Sequence, residues 1–411
     1  MPSAGAEALR RESARLVWAR AVRGFADGLA SVVLAAHLGA LGFSPFQVGV
    51  LVTTTLLGSA AMTLAAGLLG HRLRPRLILF AATALMGITG VGFAGLEAFA
   101  PLLVVAFAGT LNPTGGDVSV FLPTEQALLA ESTEPARRTA LFARYNVGGA
   151  LAGALGALAA GLPELASARF GVDPHAAMRA TFGIYALAAL AVAALYCGLA
   201  DRPPPERLAG TGPLTRSRGV VLRLTALFAL DSFGGGFVVQ SLLALWLFQR
   251  FGLSLASTGA FFFAAGLATA LSQLASPLLA HRIGLVRTMV YTHLPANVLL
   301  VIAGLMPTAP LAVAFLLARM ALSQMDVPAR QALVMRLVPP EERAAAASVT
   351  NVPRSLATAL APLASGALLA GSDFGWPLVA GGILKIAYDL LLLRGFRSAE
   401  SEAPPEGARP C

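Results

Sequence analysis

Cysteine, lysine and charge of either sign are scarce in this sequence, and each shortage excludes a class of protein. The 411 residues include two cysteines, Cys197 and Cys411, which excludes a disulfide framework. Charged residues make up 12% of the chain, roughly half the fraction of a typical soluble domain. There is no Gly-x-x-x-x-Gly-Lys-Ser/Thr loop to bind ATP and no histidine–cysteine cluster with metal-ligand spacing. We therefore expect no enzyme, no cofactor and no metal.

Long apolar runs fill the chain instead. Hydrophobic residues make up 56% of it, and runs of roughly 20 residues recur, each long enough to cross a bilayer core. The runs are continuous, whereas the strands of a membrane barrel would alternate. We predict an all-α polytopic membrane protein rather than a large soluble helical one, with about 12 spans. The predicted spans are 17–41, 46–69, 76–97, 101–129, 138–162, 176–199, 221–249, 255–280, 286–306, 310–337, 343–370 and 376–395.

The arginines indicate how the chain is oriented in the membrane. They fall largely in alternate connections, for example around 72–76 and 202–218, while the connections around 42–46 and 307–310 carry no basic residue. Arginine-rich connections face the cytoplasm in multi-pass proteins. The +9 formal charge is thus a topology signal and not a nucleic-acid surface. We expect a multi-pass protein of the inner (cytoplasmic) membrane with both termini in the cytoplasm.

The two halves of the chain repeat each other at a shift of about 205 residues. Pro123 then falls on Pro328, and Asn146 falls on Asn351. Between the halves lies a proline-rich polar segment that is typical of a linker. The predicted organisation is an N-terminal six-helix bundle at 1–200, a cytoplasmic linker at 201–219, a C-terminal six-helix bundle at 220–397 and a disordered cytoplasmic tail at 398–411.

Two parallel six-span halves joined in this way resemble the major facilitator superfamily of secondary transporters. The family's Gly-x-x-x-Asp-Arg-x-Gly-Arg loop after the second span is present in altered form, with His71 in place of the aspartate. The resemblance implies a loop that latches the two bundles in the outward-facing state. The latch residues of the loop and of its second-half copy would be Arg72, Arg76, Arg282 and Arg287.

A glycine pattern in the fifth span bears on the direction of transport. Gly148, Gly149, Gly153 and Gly156 are spaced like a motif of the family's exporters, although no proline lies between them. The alternative interpretation is helix packing through small residues. On this resemblance the chain is drug- or metabolite-exporter-like, and efflux is the expected direction.

Polar side chains at membrane depth are costly, so they are expected to face a cavity or a partner. Asp27 has Arg23 one turn earlier, and an ion pair within the helix is possible. The fourth span is predicted to break near Asn112 and Pro113, and the tenth span is interrupted in a similar way. The predicted substrate-binding or cavity residues are Asp27, Asn112, Asp117, Gln240, Asp326 and Arg354.

Asp231 is the first candidate for proton coupling, with Asp27 as the rival. Asp231 has no arginine within a turn and precedes the flexible run Gly234 to Gly236. An unpaired acid in mid-span can take up and release a proton, whereas Arg23 would hold Asp27 ionised.

The remaining charges are predicted to form pairs or to bind anions. Asp326 and Arg330 lie four residues apart on one helical face. Glu125 and Arg330 occupy corresponding positions of the repeats with opposite charge, so either a gating bridge joins them or each pairs within its own bundle. The buried arginines suitable for an anion are Arg144, which is also a gating candidate, and Arg354. The pairs interpreted as structural are Lys385 with Asp389 and His293 with Asn297.

Together these features predict a secondary active transporter that moves a small organic solute by alternating access. The expected mode is proton-coupled efflux. The alternatives are an importer of an anionic nutrient or metabolite and, less favoured, a non-transporting membrane scaffold. The expected partners are the solute, protons and the lipid bilayer, with no nucleic acid, and the expected state is a monomer.

Overall fold

The computed structural model describes residues 4–114, 119–204, 214, 216–339 and 342–396. Within these ranges the chain is all-helical and contains no strand. A short 3-10 turn, Gly70–Arg72, follows the second helix. The sixteen α-helices are α1 Ala4–Ala40, α2 Pro45–Leu69, α3 Pro75–Gly95, α4 Phe99–Ala108, α5 Phe121–Glu131, α6 Pro135–Ala159, α7 Leu162–Phe170, α8 Pro174–Cys197, α9 Arg218–Gly236, α10 Gln240–Phe251, α11 Leu255–Ile283, α12 Leu285–Leu305, α13 Ala309–Ser323, α14 Asp326–Leu337, α15 Arg343–Gly371 and α16 Trp376–Phe396.

Three of the predicted spans are pairs of shorter helices. The fourth span is α4 followed by α5, the seventh is α9 followed by α10, and the tenth is α13 followed by α14. Both predicted breaks are confirmed, and the run Gly234 to Gly236 ends α9. Ten segments of the described chain are long and apolar enough to cross a membrane, with α9 and α10 counted as one segment and α7 counted with most of α6. The two remaining crossings are the broken fourth and tenth spans. The helix α7 was not predicted.

Glycine brings α1 and α6 into close contact within the N-terminal bundle. A Cβ atom added at Gly24 would lie 2.5 Å from the carbonyl oxygen of Gly149, and one at Gly28 would overlap the carbonyl oxygen of Gly153. Gly156 likewise faces the backbone of Phe25. The glycine pattern of the fifth span therefore serves helix packing, and it no longer indicates efflux.

The two bundles approach each other most closely on one face of the molecule. We call the face with the arginine-rich connections the basic face and the opposite one the far face. Near the far face α2 packs on α15, where a Cβ atom at Gly49 would lie 2.6 Å from the Pro362 carbonyl oxygen and 3.0 Å from Gly366 Cα. Gly259 of α11 and Ala157 of α6 are equally close there. The bundles are thus closed at the far face.

Towards the basic face each bundle packs chiefly on itself. The helices α5 and α14 carry the fourth and tenth spans to this face, and their main contacts are with helices of their own half. At the end of α8, Arg202 Nη2 lies 2.6 Å from Glu12 Oε2 in α1. Before α9, the backbone N–H of Ser217 donates to Glu342 at 3.1 Å. Each visible end of the predicted linker is therefore tied to its own bundle.

The predicted boundaries at 201–219 and 398–411 remain predictions. The structure describes the linker only at 201–204, 214 and 216–219, and the predicted tail lies outside the described residues.

Candidate functional site

A buried ion pair joins the first and fourth spans of the N-terminal bundle. Arg23 of α1 donates from Nη1 to Glu125 Oε1 at 3.0 Å and from Nη2 to Glu125 Oε2 at 2.5 Å. The hydroxyls of Tyr145 and Tyr196 donate to the same carboxylate at 2.5 and 2.6 Å. Arg23 is 2% exposed and Glu125 is not exposed at all. The guanidinium also lies 4.0 Å from the centre of the Phe121 ring. Both charges are therefore fully partnered inside the bundle.

Asp27 lies one turn further along α1 and has a different environment. The hydroxyl of Tyr185 donates to its Oδ1 at 3.2 Å, and the backbone N–H of Asn112 also donates to its carboxylate. Asp27 is buried and forms no ion pair with any described residue. The predicted pair of Arg23 with Asp27 is wrong, because Glu125 draws the guanidinium towards α5. Asn112 is itself buried in the break between α4 and α5, with Thr114 donating to its Oδ1.

Asp231 of α9 sits among three basic side chains. Lys385 Nζ donates to Asp231 Oδ1 at 2.5 Å, and Arg330 Nη1 donates to Oδ2 at 3.1 Å. His293 Nε2 lies 3.7 Å from Oδ1. The expectation of an unpaired acid is therefore wrong. The basic partners come from α12, α14 and α16, which lie far from Asp231 in the chain. Spacing within one helical turn of Asp231 therefore could not predict them.

Arg330 joins two carboxylates of the C-terminal bundle. Its Nη2 lies 3.0 Å from Asp326 Oδ2, without hydrogen-bond geometry, and this confirms the predicted contact on one helical face. Arg330 and Glu125 do not bridge the bundles, since each pairs within its own half. In each bundle an ion pair thus joins the first span to the fourth span. The first span carries the cation in the N-terminal bundle and the anion in the C-terminal bundle.

Asp389 completes the polar interior of the C-terminal bundle. His293 Nδ1 lies 2.8 Å from Asp389 Oδ1, and the Asn297 amide donates to Oδ2 at 2.9 Å. The predicted pair of Lys385 with Asp389 is wrong, because Lys385 extends to Asp231 instead. The last helix therefore belongs to the charge network rather than to a separate structural pair. That Lys385 is the only lysine of the chain was the one sequence signal that singled it out.

The other predicted cavity residues are distributed less compactly. Arg354 of α15 is half-buried, with Nε 3.2 Å from Ser232 Oγ and Nη1 3.3 Å from Asn351 Oδ1. Gln240 is half-buried at the first residue of α10. Asp117 lies outside the described residues. Arg144 is exposed on α6 and so is not a buried anion ligand.

Arg319 was missed by the sequence reasoning, although it lies in the middle third of the tenth span. It is 8% exposed, its Nε has no hydrogen-bond partner, and its one polar contact is Nη1 to Met320 Sδ at 3.4 Å. An arginine inside an apolar helix was the signal that would have identified it.

The contacts given for the first-half latch residues stay within the N-terminal bundle. Arg76 Nη2 donates to the Cys197 carbonyl at 3.0 Å, which ties the loop to α8 of the same bundle. Arg72 is exposed, with its Nε 3.3 Å from His71 Nε2. The second-half residues Arg282 and Arg287 are exposed.

Three potential metal ligands meet in the C-terminal bundle. Asp231, His293 and Asp326 each place one ligand atom within 4.8 Å of the others. Lys385 and Arg330 already neutralise the two carboxylates, so a divalent cation bound there would face two fixed positive charges. We assign no metal to this cluster. Two surface clefts with mainly apolar lining lie near the far face, away from the buried charges of both bundles.

The fold and these buried charges define a membrane transporter. A family model of the major facilitator superfamily matches residues 16–323. The chain belongs to the major facilitator superfamily, and it is a transporter rather than an enzyme.

Known proteins with similar sequence or structure span several substrates. The uncharacterized membrane protein YJR124C of Saccharomyces cerevisiae is 24% identical over 428 residues, which covers 94% of this chain and 95% of that protein. A bacterial homolog of the human lysosomal transporter Spinster, in an inward-facing and unoccupied conformation, superposes with a TM-score of 0.72 at 16% identity, covering 98% and 100% of the two chains. A D-xylose–proton symporter superposes with a TM-score of 0.71 at 16% identity, covering 92% and 96%. At these identities the likeness establishes the fold alone.

Proposed function

We propose that this transporter is proton-coupled, that it moves a small organic solute by alternating access, and that Asp27 is the proton-binding residue. The observation that carries the proposal is the contrast between two buried aspartates at related positions of the repeat. Asp27 accepts hydrogen bonds from neutral donors only, whereas Asp231 is held by Lys385 and Arg330.

A coupling residue must change its charge during the cycle without a large penalty. Protonation of Asp231 would leave two buried cations without their counter-charge, which is strongly unfavourable. Protonation of Asp27 leaves the buried pair of Arg23 with Glu125 intact, because Asp27 takes no part in that pair. The preference between the two candidates is therefore reversed relative to the sequence prediction.

The position of Asp27 connects protonation to the movement of the bundles. The helix α1 packs within its own bundle on α6 and α8, and it also contacts α10 and α11 of the other bundle. A change of charge on α1 thus acts on a helix that belongs to the contact between the bundles. This contact must open when the far face opens.

The same proposal covers orientation and state. With both termini in the cytoplasm of an inner-membrane protein, the basic face is the cytoplasmic one. The described conformation is then closed to the outside and corresponds to the inward-facing state. We also propose that the transporter acts as a monomer. The proposal concerns coupling rather than direction, since the glycine pattern that favoured efflux serves packing. Direction follows from the sign of solute movement in cells treated with a protonophore.

The test uses the purified full chain in liposomes that enclose a pH-sensitive dye. A set of neutral, cationic and anionic organic solutes is added on one side, and solute-dependent proton movement is recorded. We expect the wild type to move protons with at least one solute. Asp27→Asn should abolish that movement while exchange of the labelled solute without a gradient continues. Glu97→Gln is the matched control, since Glu97 is an exposed acid of the far face.

Two outcomes would contradict the proposal. Proton movement that persists in Asp27→Asn would remove the role of Asp27. Solute exchange without proton movement in the wild type would show that transport is not coupled to protons.

A further inference from the structure

The C-terminal bundle holds more buried positive charge than its carboxylates neutralise. At membrane depth its described cationic side chains are Lys385, Arg330, Arg319 and Arg354, and the carboxylates are Asp231, Asp326 and Asp389. Lys385 and Arg330 take up Asp231 and Asp326, while Asp389 is occupied by His293 and Asn297. No carboxylate of the described residues forms an ion pair with the other two cations.

Arg319 is the clearer case of the two. Its side chain is more than nine-tenths buried, its Nε is unbonded, and a methionine sulfur is its one polar contact. An arginine does not discharge itself by losing a proton, so it stays charged at any working pH. A buried charge without a counter-charge is costly and needs an anion to offset that cost.

Arg354 has neutral partners only. Its guanidinium donates to the Ser232 hydroxyl and to the Asn351 amide oxygen, and neither carries a charge. Ser232 directly follows Asp231 in α9, so its bond holds Arg354 beside the residue that binds Lys385 and Arg330. Arg319 and Arg354 lie at a similar depth in the membrane. Each is in the middle third of its span, on α13 and α15.

We propose that Arg319 and Arg354 bind the oxyanion group, carboxylate or phosphate, of an organic substrate. The inference rests on the proposed transport function and names the class of solute. A planar guanidinium donates two parallel hydrogen bonds to a carboxylate or a phosphate, and this geometry matches both groups. The α15 helix also packs on α2 of the other bundle, so an anion at Arg354 would bind to a helix that takes part in the contact between the bundles.

The assignment makes Arg319 different from the paired cations of the same bundle. Loss of Arg330 or Lys385 would leave a buried carboxylate without its partner. Loss of Arg319 leaves no described acid unpaired, so Arg319→Met should melt at the same temperature as the wild type or higher. Its effect should appear in the response to anions.

The experiment measures the melting temperature of the purified full chain in detergent at constant ionic strength. The probes are succinate, glycerol 3-phosphate, erythritol and choline, which represent a carboxylate, a phosphate, a neutral solute and a cation. We expect succinate or glycerol 3-phosphate to raise the melting temperature and the other two to have no effect. The difference between the two oxyanions identifies which group the site prefers.

The variants locate the effect. In Arg319→Met and Arg354→Met the apparent affinity for the stabilising oxyanion should fall by about tenfold or more, the value of a charge-assisted hydrogen bond. Arg223→Met is the matched control, because Arg223 is an exposed arginine on α9, the helix of Asp231. It should respond like the wild type.

Three outcomes would overturn the assignment. In the first, neither oxyanion stabilises the wild type. In the second, both arginine variants respond to the oxyanion as strongly as the wild type does, and in the third, erythritol or choline stabilises the wild type more than either oxyanion. The result is separable from the coupling proposal, because Asp27→Asn should keep the full oxyanion response. If the wild type responds to oxyanions but moves no protons with its solute, the coupling proposal is refuted and the oxyanion assignment stands.

Discussion

Arg23→Met should destabilise the transporter strongly, because it isolates a carboxylate in the interior of the N-terminal bundle. Glu125 is fully buried and loses both hydrogen bonds from the guanidinium. Removing one partner of a buried ion pair costs about 3–5 kcal/mol. The hydroxyls of Tyr145 and Tyr196 remain as donors to Glu125, which places the expected loss at the lower end of this range.

The assay is equilibrium unfolding of the purified full chain by sodium dodecyl sulfate in mixed micelles. The matched control is Glu97→Gln, which breaks the pair of Arg179 with Glu97, where the side chains are 40% and 62% exposed. Exposed pairs of this kind contribute about 0–1 kcal/mol. The control should therefore unfold close to the wild type.

The double variant Arg23→Met/Glu125→Gln separates the ion pair from simple loss of packing. It removes both charges and keeps an amide that can still bond to Tyr145 and Tyr196. We expect it to lose less stability than the two single variants together, since the singles share the cost of one isolated charge. Additive losses, or an Arg23→Met protein within about 1 kcal/mol of the wild type, would refute the reasoning.

Two further predictions concern the other bundle and the contact between bundles. Asp231→Asn should lose about 3–5 kcal/mol of unfolding free energy in the same assay, because Lys385 and Arg330 keep their charges without the shared counter-charge; stability equal to the wild type would contradict the network. Gly49→Leu should open the far face, because its side chain would collide with the Pro362 carbonyl and Gly366 of the other bundle. Spin-label distances across the far face should lengthen in this variant, while Gly67→Leu, at a position with open space around it, should leave them unchanged.

The sequence by itself determined the helices and two of their breaks. Apolar runs of membrane length locate the crossings to within a few residues, apart from α1, which begins at Ala4, and the breaks of the fourth and tenth spans were also predicted. The break after Gly236 in the seventh span was not predicted. Contacts between neighbours on one helix were also predictable, as the pair of Asp326 with Arg330 shows. The short helix α7 was not predicted, because its nine residues are too few to cross the bilayer core.

Only the tertiary structure decided which charges meet. Arg23 lies four residues from Asp27, yet it bonds to Glu125, 102 residues away. Lys385 bonds to Asp231, which is 154 residues away in the sequence, and not to Asp389, which is four residues away on the same helix. The place of a residue along an apolar run gives its depth in the membrane, but the rotation of each helix and the identity of its neighbours come from packing between helices. Among the described residues, that packing leaves Asp27 without an ion pair and Arg319 without a carboxylate partner. Neither result could be predicted from the spacing of residues along the chain.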